Sequence, residues 1–165
     1  MRFLILMVLL AANLLSGCGT GSGAGGVMDA TVPPRNLTVQ LATQAANPAT
    51  VYYSAELTLR LPAGVTVQAA ADTGVIAADV FVAADPTALA GARFVAASTS
   101  KPATVKVIVA NPTGMVVGPL ATLTCSTAST TLPGASSFSL EEFVVKDASG
   151  IPLDTVTPKL AVQPL

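Results

Sequence analysis

The most reactive side chains of this 165-residue sequence are its two cysteines, Cys18 and Cys125. Cys18 follows Leu15-Ser16-Gly17 at the end of an apolar run that begins at Phe3. A thiol is the side chain able to form a thioether, and the small residues Ser16 and Gly17 leave a protease room to reach the bond before it. Cys125 alternates with Ala121 and Leu123, which reads as a buried core thiol rather than a reactive one. The chain has no His, so Ser–His and Cys–His nucleophilic pairs are excluded, as are His-containing metal sites. Glu141 and Glu142 are adjacent carboxylates. Strand neighbours point to opposite faces, so this pair is not expected to flank one glycosidic bond. Asp147 and Asp154 bracket a late turn and, with backbone carbonyls, are the candidate calcium ligands. A hard cation wants more oxygens than two acids supply, and a turn-shaping role for Asp147 is the simpler reading. Sugar stacking calls for exposed aromatic platforms. There is no Trp, and Tyr53 falls on an expected core face, leaving Tyr52 alone. These residues predict no catalytic site and no enzyme.

The segment around Cys18 has the three-part layout of an export leader: Arg2, the apolar run Phe3 to Leu15 broken by Asn13, then small residues. Its apolar run of about 13 residues is short of the ~20 that span a bilayer. It resembles the bacterial lipoprotein signal, with Leu15, Ser16 and Gly17 as the signal-peptidase recognition residues. That resemblance implies cleavage between Gly17 and Cys18, a lipid on the Cys18 thiol, and acylation of the new amino terminus, with palmitate among the acyl groups expected. Two or more acyl chains give stable anchoring, at ~0.8 kcal/mol per buried CH₂. Gly19 rather than Asp after the cysteine implies export to the outer membrane. The expected organisation is a leader over 1–17, a lipidated cysteine with a Gly/Ser-rich tether over 18–34, and one domain over 35–165.

Composition narrows the partners. The formal net charge is −1, and loss of Arg2 with the leader makes the remainder more acidic. Without a basic patch, nucleic acid and anionic lipid surfaces are poor partners. The most apolar later stretch, Val75 to Ala97, contains Asp79, Asp85, Pro86 and Arg93, so it does not cross a bilayer. With Cys18 lipidated, Cys125 has no intrachain partner, which excludes a disulfide scaffold.

The elements that position these residues read as strands. Leu37–Leu41 alternates apolar and polar residues. Tyr53 to Leu61 does so most clearly, with Tyr53, Ala55, Leu57, Leu59 and Leu61 on one face and Ser54, Glu56, Thr58 and Arg60 on the other. Further strands are expected at Val65–Val67, Val80–Val82, Arg93–Ala97, Thr104–Val109, Leu120–Cys125, Phe138–Val145 and Lys159–Val162. Asp85-Pro86 as cap and first-turn residue, with Gly91 as stop, predicts a short helix near 86–91. Asn111-Pro112-Thr113-Gly114 and Asp147-Ala148-Ser149-Gly150 read as turns. About nine short strands between Gly/Pro turns indicate an all-β antiparallel sandwich.

Three stretches resemble the cohesin domain: Ala55-Glu56-Leu57-Thr58-Leu59-Arg60-Leu61-Pro62, Gly118-Pro119-Leu120-Ala121-Thr122-Leu123-Thr124-Cys125, and Phe143-Val144-Val145-Lys146-Asp147-Ala148-Ser149-Gly150. Cysteine replaces the usual aromatic at position 125. The resemblance implies a nine-stranded sandwich of jelly-roll-like topology, a fold shared with carbohydrate-binding modules. It also implies a protein partner, a dockerin-like calcium-loop module on another chain, with no fixed binding motif to carry over. The expectation is a membrane-anchored, non-catalytic envelope lipoprotein for protein attachment. The alternatives are a polysaccharide-binding module and a structural subunit of an envelope assembly, with the 75–97 segment as its interface.

Overall fold

The computed structural model describes residues 33–165. Leu15, Ser16, Gly17, Cys18 and nearly all of the tether lie outside the described residues. Nine antiparallel strands form two sheets. In chain order they are β1 (Arg35–Gln44), β2 (Val51–Arg60), β3 (Val65–Thr66), β4 (Phe81–Ala83), β5 (Leu89–Val95), β6 (Thr104–Val116), β7 (Pro119–Thr127), β8 (Ser139–Lys146) and β9 (Thr157–Pro164). One sheet runs β3-β7-β1-β9, with β4 also paired to β7; the other runs β5-β6-β2-β8. The two pack as a β-sandwich. The only helical element among the described residues is a single 3-10 turn, Ala135–Ser137.

Strand alternation accounts for the core. Leu37, Val39 and Leu41 of β1 and Leu123 and Cys125 of β7 face inward, as do Ala55, Leu57 and Leu59 of β2 and Val105, Val107 and Val109 of β6. Fully burying each Val or Leu contributes about 1.5–3 kcal/mol, and these two inner faces together form one contiguous cluster. The 75–97 segment is partly built into it: Ile76, Val80, Phe81 and Ala92 are all buried.

Three sequence expectations are corrected, each for a local reason. The helix near 86–91 does not form. Asp85 caps as expected, accepting from the Thr87 amide at 2.8 Å and the Thr87 hydroxyl at 2.6 Å. The chain turns once, with the Ala88 amide donating to the Asp85 carbonyl, and enters β5 at Leu89. From there it pairs with β6, residue for residue, to Val95. A helix would leave that edge of β6 unpaired, so the ladder prevails over the local helix signal.

The turn expected at 111–114 is instead a bulge inside β6. Tyr52 pairs with Met115 and Ser54 with Ala110, so the four residues Asn111 to Gly114 stand opposite Tyr53 alone. The bulge reverses the inward face of β2 at this point. Tyr52 is therefore buried and Tyr53 half-buried, the reverse of simple alternation.

The third correction concerns Glu141 and Glu142. Thr58 pairs with Glu142 and Leu59 with Leu140, which makes Glu141 an extra residue in β8. Both glutamates are exposed and line the same depression, rather than pointing to opposite faces.

The free edges are treated individually. Val75 bridges to Arg93 beside β5, and Ile76 donates its amide to the Ala92 carbonyl. Leu153 donates to Val145 and Pro152 bridges Lys146 at the C-terminal end of β8. At β9, Leu165 donates its amide to the Asn36 carbonyl, which fixes the hydrogen-bond phase along the β1–β9 ladder. Pro158 and Pro164, opposite Thr43 and Leu37, fall at the non-hydrogen-bonded pairs, where a residue's N–H would point away from β1.

Candidate docking face

Among the described residues, the sequence-predicted candidates Cys125, Asp147 and Asp154 do not line one site. Cys125 lies in the middle of β7, 1% exposed, and burial pushes its thiol up to about 12. It is a core residue. Asp147 shapes its turn: one carboxylate oxygen accepts the amides of Ser149 at 2.8 Å and Ile151 at 2.9 Å. That oxygen is already in use, Asp154 lines a separate depression with Phe143 and Val156, and among the described residues no three Asp, Glu or Cys side chains cluster. A calcium ion takes six to eight oxygens, more than these two carboxylates supply.

What the fold does assemble is the outward face of the four-stranded sheet. Register places its residues in rows across β5, β6, β2 and β8. One row is Gly91, Ile108, Glu56, Val144. The next is Arg93, Lys106, Thr58, Glu142. Ile108 is 49% exposed and Val144 38%, and Val75, 55% exposed, extends the apolar strip beyond β5. Together with Ala90 and Gly91 they line a shallow concavity of 720 Å³. The missing side chain at Gly91 contributes to its depth.

The charges are sorted by strand. Arg93 and Lys106 are direct cross-strand neighbours, a like-charge pairing that is unfavourable within a single molecule. At the other side of the sheet Glu141 and Glu142 stand together, with Glu142 accepting a hydrogen bond from Thr58 at 2.9 Å. Thr58 faces outward yet is buried between its long neighbours. The only ion pair among the described residues, Lys146 to Glu56 at 2.8 Å, neutralises the carboxylate in the middle of the face. Arg93 and Lys106 on one side and Glu141 and Glu142 on the other are left without a salt bridge within the described chain.

The opposite sheet presents a different surface. Its outward positions Thr38, Gln40, Thr122, Thr124 and Gln163 are hydroxyls and amides, joined by one exposed cation, Lys159 opposite Ala42, and by Val82 opposite Thr122. The six aromatic rings among the described residues are all buried or half-buried, so neither sheet offers an exposed ring.

Sequence alternation already turned Ile108 and Lys106 outward. It gave no register between strands, and register is what gathers Arg93 with Lys106 and Ile108 with Val144. The glutamate pair was hidden for a further reason: the bulge that places both on one side leaves no mark in the residue pattern. The chain matches no protein-family model, no curated protein and no solved structure.

Proposed function

We propose that this chain is a non-catalytic attachment module of the cell envelope, anchored through lipid on Cys18 at the outer membrane, that docks a protein partner face-on against its four-stranded sheet. The observation that carries this reading is the composition of that face. An exposed aliphatic row, Ile108 and Val144 with Val75 beyond β5, runs beside a row that carries a basic pair at one side of the sheet and an acidic pair at the other. Protein surfaces supply both matching features, a complementary apolar patch and charges of both signs. Polysaccharide recognition depends on exposed rings, and the rings here are turned into the core. The cohesin resemblance supports the same class of activity.

The test is capture of partners from envelope extract by the full-length protein and by an Ile108→Glu variant. The expected result is a protein retained by the parent and lost from the variant, with unchanged circular dichroism. Equal retention by both would remove this face from the reading. The Thr/Gln-rich surface of the five-stranded sheet, with its many hydroxyl and amide hydrogen-bonding groups, favours a second reading, polysaccharide binding. Co-sedimentation with cell-wall glycan, abolished by Thr122→Lys and unaffected by Ile108→Glu, would establish that alternative instead.

A further inference from the structure

We propose that the outward face of the four-stranded sheet pairs with a second copy of itself about a two-fold axis parallel to its strands. The inference rests on reading this face as a protein-docking surface, and it names the partner.

The row Arg93, Lys106, Thr58, Glu142 runs from basic to acidic across the full width of the sheet. A two-fold axis lying in the interface, over the midline between β6 and β2, returns each row onto itself in reverse. Arg93 of one copy then faces Glu142 of the other, with Glu141 beside it in β8, while Lys106 falls over Thr58, one strand spacing of about 4.8 Å from that same Glu142. The contact repeats on the far side of the axis, so one operation brings the basic pair of each copy to the acidic edge of the other, as an isologous interface requires.

The neighbouring row agrees in shape. Val144 of one copy falls over Gly91 of the other, a side chain above a position that has none. Ile108 falls over Glu56, whose carboxylate is already held by Lys146 at 2.8 Å.

Size sets the strength. Four strands at about 4.8 Å spacing and seven residues at about 3.4 Å give roughly 450 Å² a side, against about 800 Å² for a standard interface. The pair is therefore weak in dilute solution and strengthened where copies are concentrated on one surface.

Sedimentation velocity of the full-length protein over a wide concentration range tests this, with two charge-reversed forms alongside the parent. R93E/K106E makes the face wholly acidic, and E141K/E142K makes it wholly basic. The parent is expected to show a monomer–dimer equilibrium that weakens with added salt. Each reversed form alone should self-associate more than about tenfold more weakly, because like charges meet at both contacts. An equimolar mixture of the two forms should regain a dimer, since acidic and basic faces then match throughout.

A parent that stays monomeric at every concentration, or a mixture that does not pair, overturns the proposal. Either result leaves the docking reading standing if Ile108→Glu still abolishes capture of a different protein. Loss of both results together removes the face altogether.

Discussion

Cys125 shows how burial alone sets the chemistry of a residue. Its thiol is pushed up to about 12 from an ordinary 9.0, by desolvation. The native protein should resist an aromatic disulfide reagent and react in full after unfolding in urea; rapid modification of folded protein would contradict the core placement. The pH consequence has a definite sign. A group whose folded value is raised contributes stability that is fully present below its unfolded value and is lost as pH rises toward the folded value. Here the window opens near pH 9 and closes near 12. Tyr52, also raised by burial, adds to the same alkaline loss. Urea unfolding across that range should show a smaller loss in Cys125→Ala than in the parent.

Gly114 supplies a second prediction at this scale. Its φ is +84°, and a Cβ there would lie 2.7 Å from Val51 Cγ1 and 3.3 Å from the Tyr53 ring. Gly114→Ala should cost about 1–3 kcal/mol in urea unfolding, from left-handed backbone strain and this clash. Gly150→Ala, with φ +78° and open space around it, carries the strain without the clash and should cost less. The glycine was visible in the sequence as part of a turn signal. That the turn chemistry serves a bulge, with a neighbouring strand pressed against it, depends on pairing between residues more than fifty positions apart.

At the scale of elements, the bulge is held by side-chain hydrogen bonds in place of ladder bonds. Asn111 is buried, and its amide nitrogen donates to Asp85 at 2.8 Å and to Thr87 at 3.1 Å. Its oxygen accepts from the Thr113 amide and hydroxyl at 2.9 and 2.7 Å. The β6 bulge is thereby tied to the turn that feeds β5. Asn111→Ala should destabilise the fold by about 1 kcal/mol, from the loss of these hydrogen bonds and of the buried side chain that makes them. Hydrogen exchange should show the greatest loss of protection along β5 and the bulge. Asp85 itself is held below its usual value by the Thr87 hydroxyl first, then by the Thr87 amide and by Asn111. A depressed carboxyl contributes stability above its unfolded value of 3.8 that is lost as pH falls further. Asp85→Asn should therefore flatten the acid limb of the stability profile.

The sequence was most legible at this scale wherever strands alternate without interruption. The run from Ala55 to Arg60 and the valines of β6 fall on the faces their order indicates. It was least legible where an extra residue resets the alternation, as at Tyr53 and Glu141. The signal at Asp85-Pro86 marks a turn held by the Asp85 carboxylate on Thr87 rather than the start of a helix. Its continuation was decided by the unpaired edge of β6, which no local residue encodes.

Considered as a whole molecule, the sandwich has one aliphatic face with charges of both signs and one face rich in hydroxyls and amides. The attachment reading also depends on Cys18, outside the described residues. Cys18→Ala should yield a soluble or an uncleaved form; unchanged processing and membrane retention would remove the lipid anchor from the reading. The class of fold followed from turn spacing and strand alternation together, whereas the docking face required the register of four strands drawn from distant parts of the chain.

The prolines of β9 bear on what happens when many copies share one surface. Adding a foreign strand to an edge requires a run of outward amides, and Pro158 and Pro164 interrupt that run on either side of Leu160 and Val162. Edge addition is open-ended, because each newcomer presents another edge, while a two-fold face contact exhausts its valence at two. If copies pair as proposed, crowding therefore favours a finite, reversible pair over polymerisation through the β9 edge.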